Sequence, residues 1–194
     1  MSDLPEFVGF PKISRLNREI CITEKIDGTN ARIYISDDLL TMWAGSKNRW
    51  LSTASKADDN YGFAKWVEQN REELLKLGPG THYGEWWGVG IGRGYDLSER
   101  RFSLFNTTRW GDAAARPACV GVVPVLYEGP WVVDPIRGKF APDMQLERLR
   151  AAGSMAVPRY MKPEGIVVFH KASQVMFKAT CEKDEQWKGV KENS

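Results

Sequence analysis

The sequence is poor in the residues that build metal centres and disulfide frameworks. Its 194 residues include only two histidines and three cysteines, and Cys21, Cys119 and Cys181 are odd in number and far apart. They show no metal-ligand spacing, which argues against a zinc centre, and unpaired thiols are typical of a reducing compartment. We therefore expect a cytoplasmic, intracellular protein.

Long apolar runs and an excess of one charge are also missing. No 18-residue apolar run exists, and the opening M-S-D-L-P-E-F lacks the basic and apolar regions of a signal peptide, so we expect no membrane partner. With 27 basic and 25 acidic residues, the net charge of +2 neither demands nor excludes nucleic acid. Eight tryptophans are many for this length. Most of them should be core, and the remainder are available to stack on bases.

The length and the hydrophobic pattern predict one domain over residues 1–194, acting as a monomer, with an α+β fold. Short alternating segments predict strands at 19–24, 31–36, 40–44, 82–87, 101–106, 120–127, 165–170 and 174–179. Helical spacing predicts helices at 60–77, with Asp59 or Asn60 as the N-cap, and at 142–152. The result is a set of mainly antiparallel sheets with inserted helices.

The segment T-E-K-I-D-G-T-N, residues 23–30, raises the main functional question. Asp27-Gly28 is a tight-turn signal, so the segment alone favours a hairpin that carries an exposed lysine. The motif K-x-D-G is short enough to occur by chance in roughly a few per cent of chains of this length. If Lys25 is a nucleophile, the sequence should also contain the other residues of its site: acidic groups for a metal, cations for phosphates and an aromatic ring for a base.

Residues of all three kinds occur later in the chain. Glu85 lies in the apolar segment Y-G-E-W-W, where a carboxylate must be paired or functional, and Glu164 opens the apolar run G-I-V-V-F. Lys178 lies inside V-M-F-K-A, where a lysine is costly unless it meets an anion; the alternative is a lysine on an edge strand. Phe105 is placed in mid-strand and would by default be core.

Taken together, these segments resemble the covalent nucleotidyltransferases, namely polynucleotide ligases and capping enzymes. The motifs of that superfamily occur in its order, as K-I-D-G at 25–28, Y-G-E-W-W-G at 83–88, R-F-S-L-F-N at 101–106, E-G-I-V-V at 164–168 and M-F-K-A-T at 176–180. The closer likeness is to the ATP-dependent RNA ligases of the editing-ligase-like group. T-E-K-I-D-G-T-N, G-S-K-N-R-W at 45–50 and the run G-V-G-I-G-R-G-Y are similar to segments of that group.

The resemblance implies a nucleotidyltransferase domain of the ATP-grasp-like kind. Since only 14 residues follow Thr180, we expect no C-terminal oligonucleotide-binding barrel. It implies ATP and Mg²⁺ or Mn²⁺ as cofactors, and RNA with 5′-phosphate and 3′-hydroxyl ends, with a nicked duplex among the candidate substrates. Lys25 would attack ATP to form lysyl–AMP, the AMP would move to a 5′-phosphate, and a 3′-hydroxyl would displace it. Ligases this small suggest a phage or a similarly compact genome, with expression in a host cell.

The resemblance also implies a role for each motif residue. Lys25, Glu164 and Lys178 would be catalytic, and Glu164 would also orient the metal. Glu85 would bind the ribose hydroxyls, while Phe105 would stack on adenine and Glu24 would fix that base. The remaining nucleotide contacts, mostly with phosphates, would come from Asp27, Gly28, Asn30, Lys47, Arg49 and Lys178, Gly28 by letting the backbone come close.

Two positions depart from the family pattern. Asn106 stands where an acidic residue often follows the aromatic, and Lys178 is single where two lysines are common. A non-catalytic module that binds nucleotide or RNA therefore stays open as an alternative. Within the same superfamily, a minimal ATP-dependent DNA ligase is a second alternative. A capping guanylyltransferase is a weaker alternative because the barrel is not expected.

Overall fold

The computed structural model describes residues 5–182 except 133, 135 and 137. Nine strands are present in this part of the chain: β1 Glu19–Lys25, β2 Thr29–Ile35, β3 Met42–Ser46, β4 Gly80–Gly88, β5 Arg100–Leu104, β6 Gly121–Val122, β7 Val125–Pro130, β8 Gly165–His170 and β9 Val175–Thr180. Its α-helices are α1 Phe63–Gln69, α2 Arg71–Leu74, α3 Thr107–Trp110 and α4 Ala141–Ala152, with short 3₁₀ segments at Leu75–Leu77, Gly94–Asp96 and Ala113–Ala115.

The strands form two sheets, in the orders β7-β1-β8-β9 and β3-β2-β4-β5-β6. Every pairing is antiparallel except that of β5 with β6. The predicted α+β class, with mainly antiparallel sheets and inserted helices, is confirmed. Among the described helices, none combines the length and the apolar character that a membrane crossing requires.

The predicted hairpin around Asp27-Gly28 is wrong, because β1 and β2 belong to different sheets. A Cβ atom on Gly28 would lie 2.5 Å from the Trp86 carbonyl oxygen and 2.7 Å from Trp87 Cβ, so the chain passes directly against β4 here. The backbone N–H of Asp27 donates to the Tyr95 hydroxyl at 2.8 Å. K-I-D-G is therefore a crossing between the sheets, and its glycine is needed for close approach.

The predicted strand at 120–127 is likewise divided between the two sheets. Its first part is β6, which pairs with β5, and its second part is β7, which pairs with β1. Pro124 lies between them and has no backbone N–H with which to continue a ladder, while its carbonyl accepts from the Glu24 amide at 2.9 Å. Val123 is buried beside Ile26 and Tyr95 in a small core between the sheets.

The predicted helix at 60–77 begins at Phe63 and is broken at Asn70 into α1 and α2. Asn60 and Tyr61 have positive φ angles, which excludes them from the helix. The N-cap is Gly62, so the predicted N-cap at Asp59 or Asn60 is wrong, although the Asp59 carboxylate accepts from the Lys65 amide in the first turn at 2.9 Å. The apolar face packs as the spacing predicted, on the five-stranded sheet.

The helices cover one face of each sheet. In the five-stranded sheet, Ala31, Ile33 and Ile35 of β2 face the α1 side and are core. In the four-stranded sheet, the apolar side chains of β1 and β8 pack with α4. Because successive strand residues point to opposite faces, the other set of side chains on each sheet is free to build a site.

Candidate active site

Lys25 and Glu164 form the centre of the site. Antiparallel pairing of β1 with β8 sets Lys25 opposite Gly165, so Glu164 lies next to it although 139 residues separate the two in sequence. Lys25 Nζ is 2.5 Å from Glu164 Oε1, and the two side chains are 24% and 17% exposed. The structure thus brings together the predicted nucleophile and the predicted carboxylate in a half-buried pair.

The glycine of the E-G motif has a packing reason. A Cβ atom on Gly165 would lie 2.1 Å from the Ala179 carbonyl oxygen, so any side chain would push β9 away. The carbonyl oxygen of Glu164 accepts from the Cys181 amide at 2.8 Å. The glycine and this hydrogen bond hold the chain on both sides of the carboxylate, which fixes the position of Glu164 beside Lys25.

The second oxygen of Glu164, Oε2, is buried, and no group in the described part of the chain hydrogen-bonds to it. A buried carboxylate oxygen without a partner is costly, so its presence points to a ligand. Within the described residues, no group of three or more histidine, cysteine or acidic side chains is placed to hold a metal. A cation here would be held by this one carboxylate together with oxygens of a phosphate ligand, as is usual for Mg²⁺.

Glu85 lies on the adjacent sheet, facing Lys25. It is 8% exposed and accepts a hydrogen bond from Asn30 Nδ2 at 3.1 Å, across the β2–β4 pairing. Burial raises the pKa of Glu85 from 4.5 to about 7 and the charge of Glu164 adds to this, while Lys25, Asn30 and the Gly28 amide oppose it. Glu85 is therefore a carboxyl group whose charge the fold disfavours, which is typical of functional sites.

We expect Glu85→Gln to stabilise the protein at alkaline pH. The folded pKa of Glu85 lies above the unfolded value, so the contribution of Glu85 to the stability of the wild type is fully present below pH 4.5 and is lost as pH rises to about 7. The glutamine variant avoids this loss, and at pH 8.5 it should be more stable by up to about 3 kcal/mol. Thermal unfolding of both proteins between pH 5 and 9 measures this difference in stability. A difference between their melting temperatures that stays constant over that range would contradict the prediction.

Glu24 is used by the fold itself. It is 1% exposed, and its carboxylate accepts from Ser154 Oγ at 2.6 Å and from the amides of Met155 and Ala156 at 2.7 and 2.9 Å. These donors come from the segment after α4, which they tie to β1 next to Lys25. The role of Glu24 in fixing the adenine stays a prediction, and it requires a ligand to reach a carboxylate that the protein already encloses.

Lys178 is exposed on the edge strand β9, so the expectation of a buried lysine is wrong and the alternative of a lysine on an edge strand is confirmed. It is placed opposite Val167, which in turn pairs with Thr23, so Lys178 shares the sheet face of Lys25. Two strand spacings set it about 10 Å across that face. It makes no ion pair with any residue that the structure describes, and its role at a phosphate stays a prediction.

The two basic residues after β3 differ from each other. Arg49 already has partners, since its guanidinium is 2.9 Å from Asp58 Oδ1 and also donates to the Ala57 carbonyl. Lys47 is exposed in the turn. Neither residue is placed in contact with Lys25 or Glu164, so their predicted phosphate contacts depend on where a ligand lies.

Phe105 is not a core residue, which corrects the default expectation from its position. β5 ends at Leu104, and Phe105 is 41% exposed. Its amide donates to the Tyr83 carbonyl at 3.0 Å, which continues the β4 register and places the ring on the same face as Glu85. Asn106, where the family often has an acid, caps α3 by accepting from the Arg109 amide at 3.0 Å.

Two residues of the site were not singled out in the sequence, Arg93 and Tyr95. Arg93 Nε lies 3.5 Å from Asp27 Oδ2, and the buried Tyr95 hydroxyl accepts from the Asp27 amide. Tyr95 has a φ of 55°, an unusual angle for a bulky side chain. The run G-V-G-I-G-R-G-Y, which contains both residues, was the sequence feature that could have identified them. Its function here is to fold over the K-I-D-G crossing and fix Asp27.

Comparison with known proteins agrees with this geometry. A family model described as RNA ligase matches residues 18–180. Two structures of Naegleria gruberi RNA ligase, one determined with ATP and Mn and one without ligand, each match with a TM-score of 0.59 and 19% identity, covering 87% and 91% of this chain. A third, with AMP and Mn, matches equally well. No curated protein sequence matches the chain.

At this identity, the structural matches show the fold. Together with the family match, they confirm the predicted nucleotidyltransferase fold of an RNA ligase. The chain spans 52% and 57% of the length of the first two matched chains. The prediction that no oligonucleotide-binding barrel follows this domain stays a prediction.

Proposed function

The chain belongs to the RNA ligase family, and from this premise we propose that it is an ATP-dependent RNA ligase that acts through a lysyl–AMP intermediate. The observation that carries the proposal is the pair of Lys25 and Glu164, with one glutamate oxygen on the lysine and the other buried without a partner among the described residues. This arrangement offers a nucleophile, a proton acceptor and a ligand atom within one side-chain pair.

The first step follows from these positions. A lysine amine has a pKa of about 10.4 and attacks only when neutral, so it needs a nearby acceptor for its proton, and Glu164 Oε1 is in hydrogen-bond contact. Lys25 Nζ then bonds to the α-phosphorus of ATP while the bond to pyrophosphate breaks. A divalent cation at Glu164 Oε2 would supply positive charge for the phosphate oxygens.

The surrounding residues would position the nucleotide. Asn30 and Glu85 already hydrogen-bond to each other, so the Glu85 carboxylate is oriented for the ribose hydroxyls. Phe105 offers an exposed ring on the same face for the adenine. In the following steps the AMP passes from Lys25 to an RNA 5′-phosphate, and a 3′-hydroxyl displaces the AMP to form the phosphodiester.

One experiment tests cofactor, chemistry and substrate together. The protein is incubated with α-labelled ATP, GTP or NAD, with Mg²⁺ or Mn²⁺, and the labelled adduct is then chased with 5′-phosphorylated RNA, nicked RNA or nicked DNA. We expect labelling by ATP alone and conversion of the adduct by RNA. Conversion by nicked DNA only would support the DNA ligase, and ATP binding without an adduct would support the non-catalytic module that the single Lys178 motivates.

A further inference from the structure

A second candidate surface lies on the five-stranded sheet, on the face that carries Glu85 and Asn30. Because Ala31, Ile33 and Ile35 face the core, the alternate residues of β2, namely Asn30, Arg32 and Tyr34, lie on this free face. Tyr34 is four residues further along the strand than Asn30, and this rise places their Cα atoms about 13 Å apart. The face therefore extends well beyond the candidate active site.

Three aromatic rings gather at the far part of this face. Tyr34 pairs directly with Trp43, and Trp50 bridges to Gly45 of β3. The rings of Tyr34, Trp43 and Trp50, hereafter the aromatic cluster, have centroids 5.5 to 6.3 Å apart. Trp43 and Trp50 are 52% and 49% exposed. Exposed tryptophans grouped in this way mark a binding surface.

A row of side chains connects the aromatic cluster to the candidate active site. The β-sheet register sets Arg32 opposite Tyr83 on one side and opposite Gly45 on the other, and Phe105 continues the row beyond Tyr83. Tyr83 is 53% exposed, and the Arg32 guanidinium lies over its ring at 5.4 Å. The ring proposed for adenine and the aromatic cluster are thus the two ends of one continuous surface.

Cations accompany these rings. Arg32 donates to the carbonyls of Ser46 and Lys47 at 3.0 and 2.6 Å, which fixes the turn after β3, and the Lys47 side chain in this turn is exposed. The acidic residues Asp37 and Asp38 follow β2 and mark the far end of the surface. Aromatic rings interleaved with basic side chains match the chemistry of a nucleic-acid strand, with its stacking bases and anionic phosphates.

We propose that this face, from Tyr83 beside the adenine site through Arg32 to the aromatic cluster, binds unpaired nucleotides of the RNA substrate. The inference rests on the proposed function, since the surface leads away from the proposed adenylylation site. Unpaired bases are favoured because a paired duplex hides base faces in its own stack. Two strand spacings, from Tyr83 across Arg32 to Gly45, cover about 10 Å, which holds about three stacked nucleotides at roughly 3.4 Å each.

The test measures binding of a fluorescently labelled 12-nucleotide single-stranded RNA and of a duplex of the same length by anisotropy. Trp43→Leu keeps apolar bulk but removes the ring, and we expect about ten-fold weaker binding of the single strand with little change for the duplex. Trp43→Phe should recover most of the affinity. Phe140→Leu is the matched control, because Phe140 is 43% exposed but precedes α4, on the other sheet.

Several outcomes would overturn the inference. These are unchanged binding of single-stranded RNA by Trp43→Leu, an equal loss for single strand and duplex, or altered sedimentation without altered RNA binding, which would identify a protein interface. If Trp43→Leu does not fold, Trp50→Leu gives the same reading. Labelling of the wild type by ATP needs no RNA, so a failure there would count against the proposed function, separately from the RNA measurements.

Discussion

Replacing Lys25 with alanine is expected to abolish covalent labelling by α-labelled ATP, a loss of at least about 1,000-fold. The amine is the proposed nucleophile, and an alanine has no atom with which to form the bond to phosphorus. The loss should be specific to chemistry, because Lys25 is partly exposed and its removal leaves no large cavity. Labelled protein is counted after denaturing electrophoresis, where only a covalent adduct remains attached.

Two further variants separate chemistry from folding. Lys25→Arg keeps a positive charge next to Glu164 but stays protonated at accessible pH, so it too should not be labelled. Lys76→Ala is the matched control, because Lys76 Nζ is also 2.5 Å from a glutamate, Glu73, but in an exposed pair on another surface. Normal labelling of Lys25→Ala would place the nucleophile elsewhere and remove the basis of the proposed function.

The second large effect is expected for Glu164→Gln, which should slow adduct formation by about 100-fold to 1,000-fold. Glutamine keeps the shape and an oxygen that accepts from Lys25. It loses the negative charge that accepts the proton of Lys25, and it loses the buried oxygen proposed to bind a cation. The variant should also need more Mn²⁺ to reach half of its maximal rate, because one anionic ligand is gone.

The matched control for this change is Glu73→Gln, in which the same substitution breaks the exposed pair with Lys76. It should label at the wild-type rate. The rate of adduct formation as a function of Mn²⁺ concentration distinguishes a chemical role from a structural one, since a merely structural role would leave the metal dependence unchanged. A Glu164→Gln rate within two-fold of the wild type would show that Glu164 is not the proton acceptor.

Much of the secondary structure followed from local pattern. The strand at 165–170 and the helix at 142–152 lie within one residue of β8 and α4, because alternation and helical spacing are properties of a few neighbouring residues. Two of the errors occurred where the chain changes sheets, at Asp27-Gly28 and at Pro124. Asp27-Gly28 suits a hairpin and a crossing equally well, and the packing of Gly28 against Trp86 decides between them.

The site shows the same division. Motif order, through the family resemblance, predicted that Lys25, Glu85 and Glu164 act together, and the structure places them side by side. Motif order did not predict that the segment after α4 would enclose Glu24, or that Arg49 would form an ion pair with Asp58. Partners of this kind come from segments distant in sequence, so no local pattern reports them.

The sequence by itself determined the family, the α+β class and the residue types at the proposed reactive centre, because these depend on short patterns and on their order. Tertiary structure alone decided which oxygen of Glu164 contacts Lys25 and which has no hydrogen-bond partner among the residues that the structure describes. It also decided that Lys178 lies on an edge strand and that Tyr34, Trp43 and Trp50 form one surface. The physical reason is that burial and contact follow from the register and stacking of strands, which long-range pairing sets.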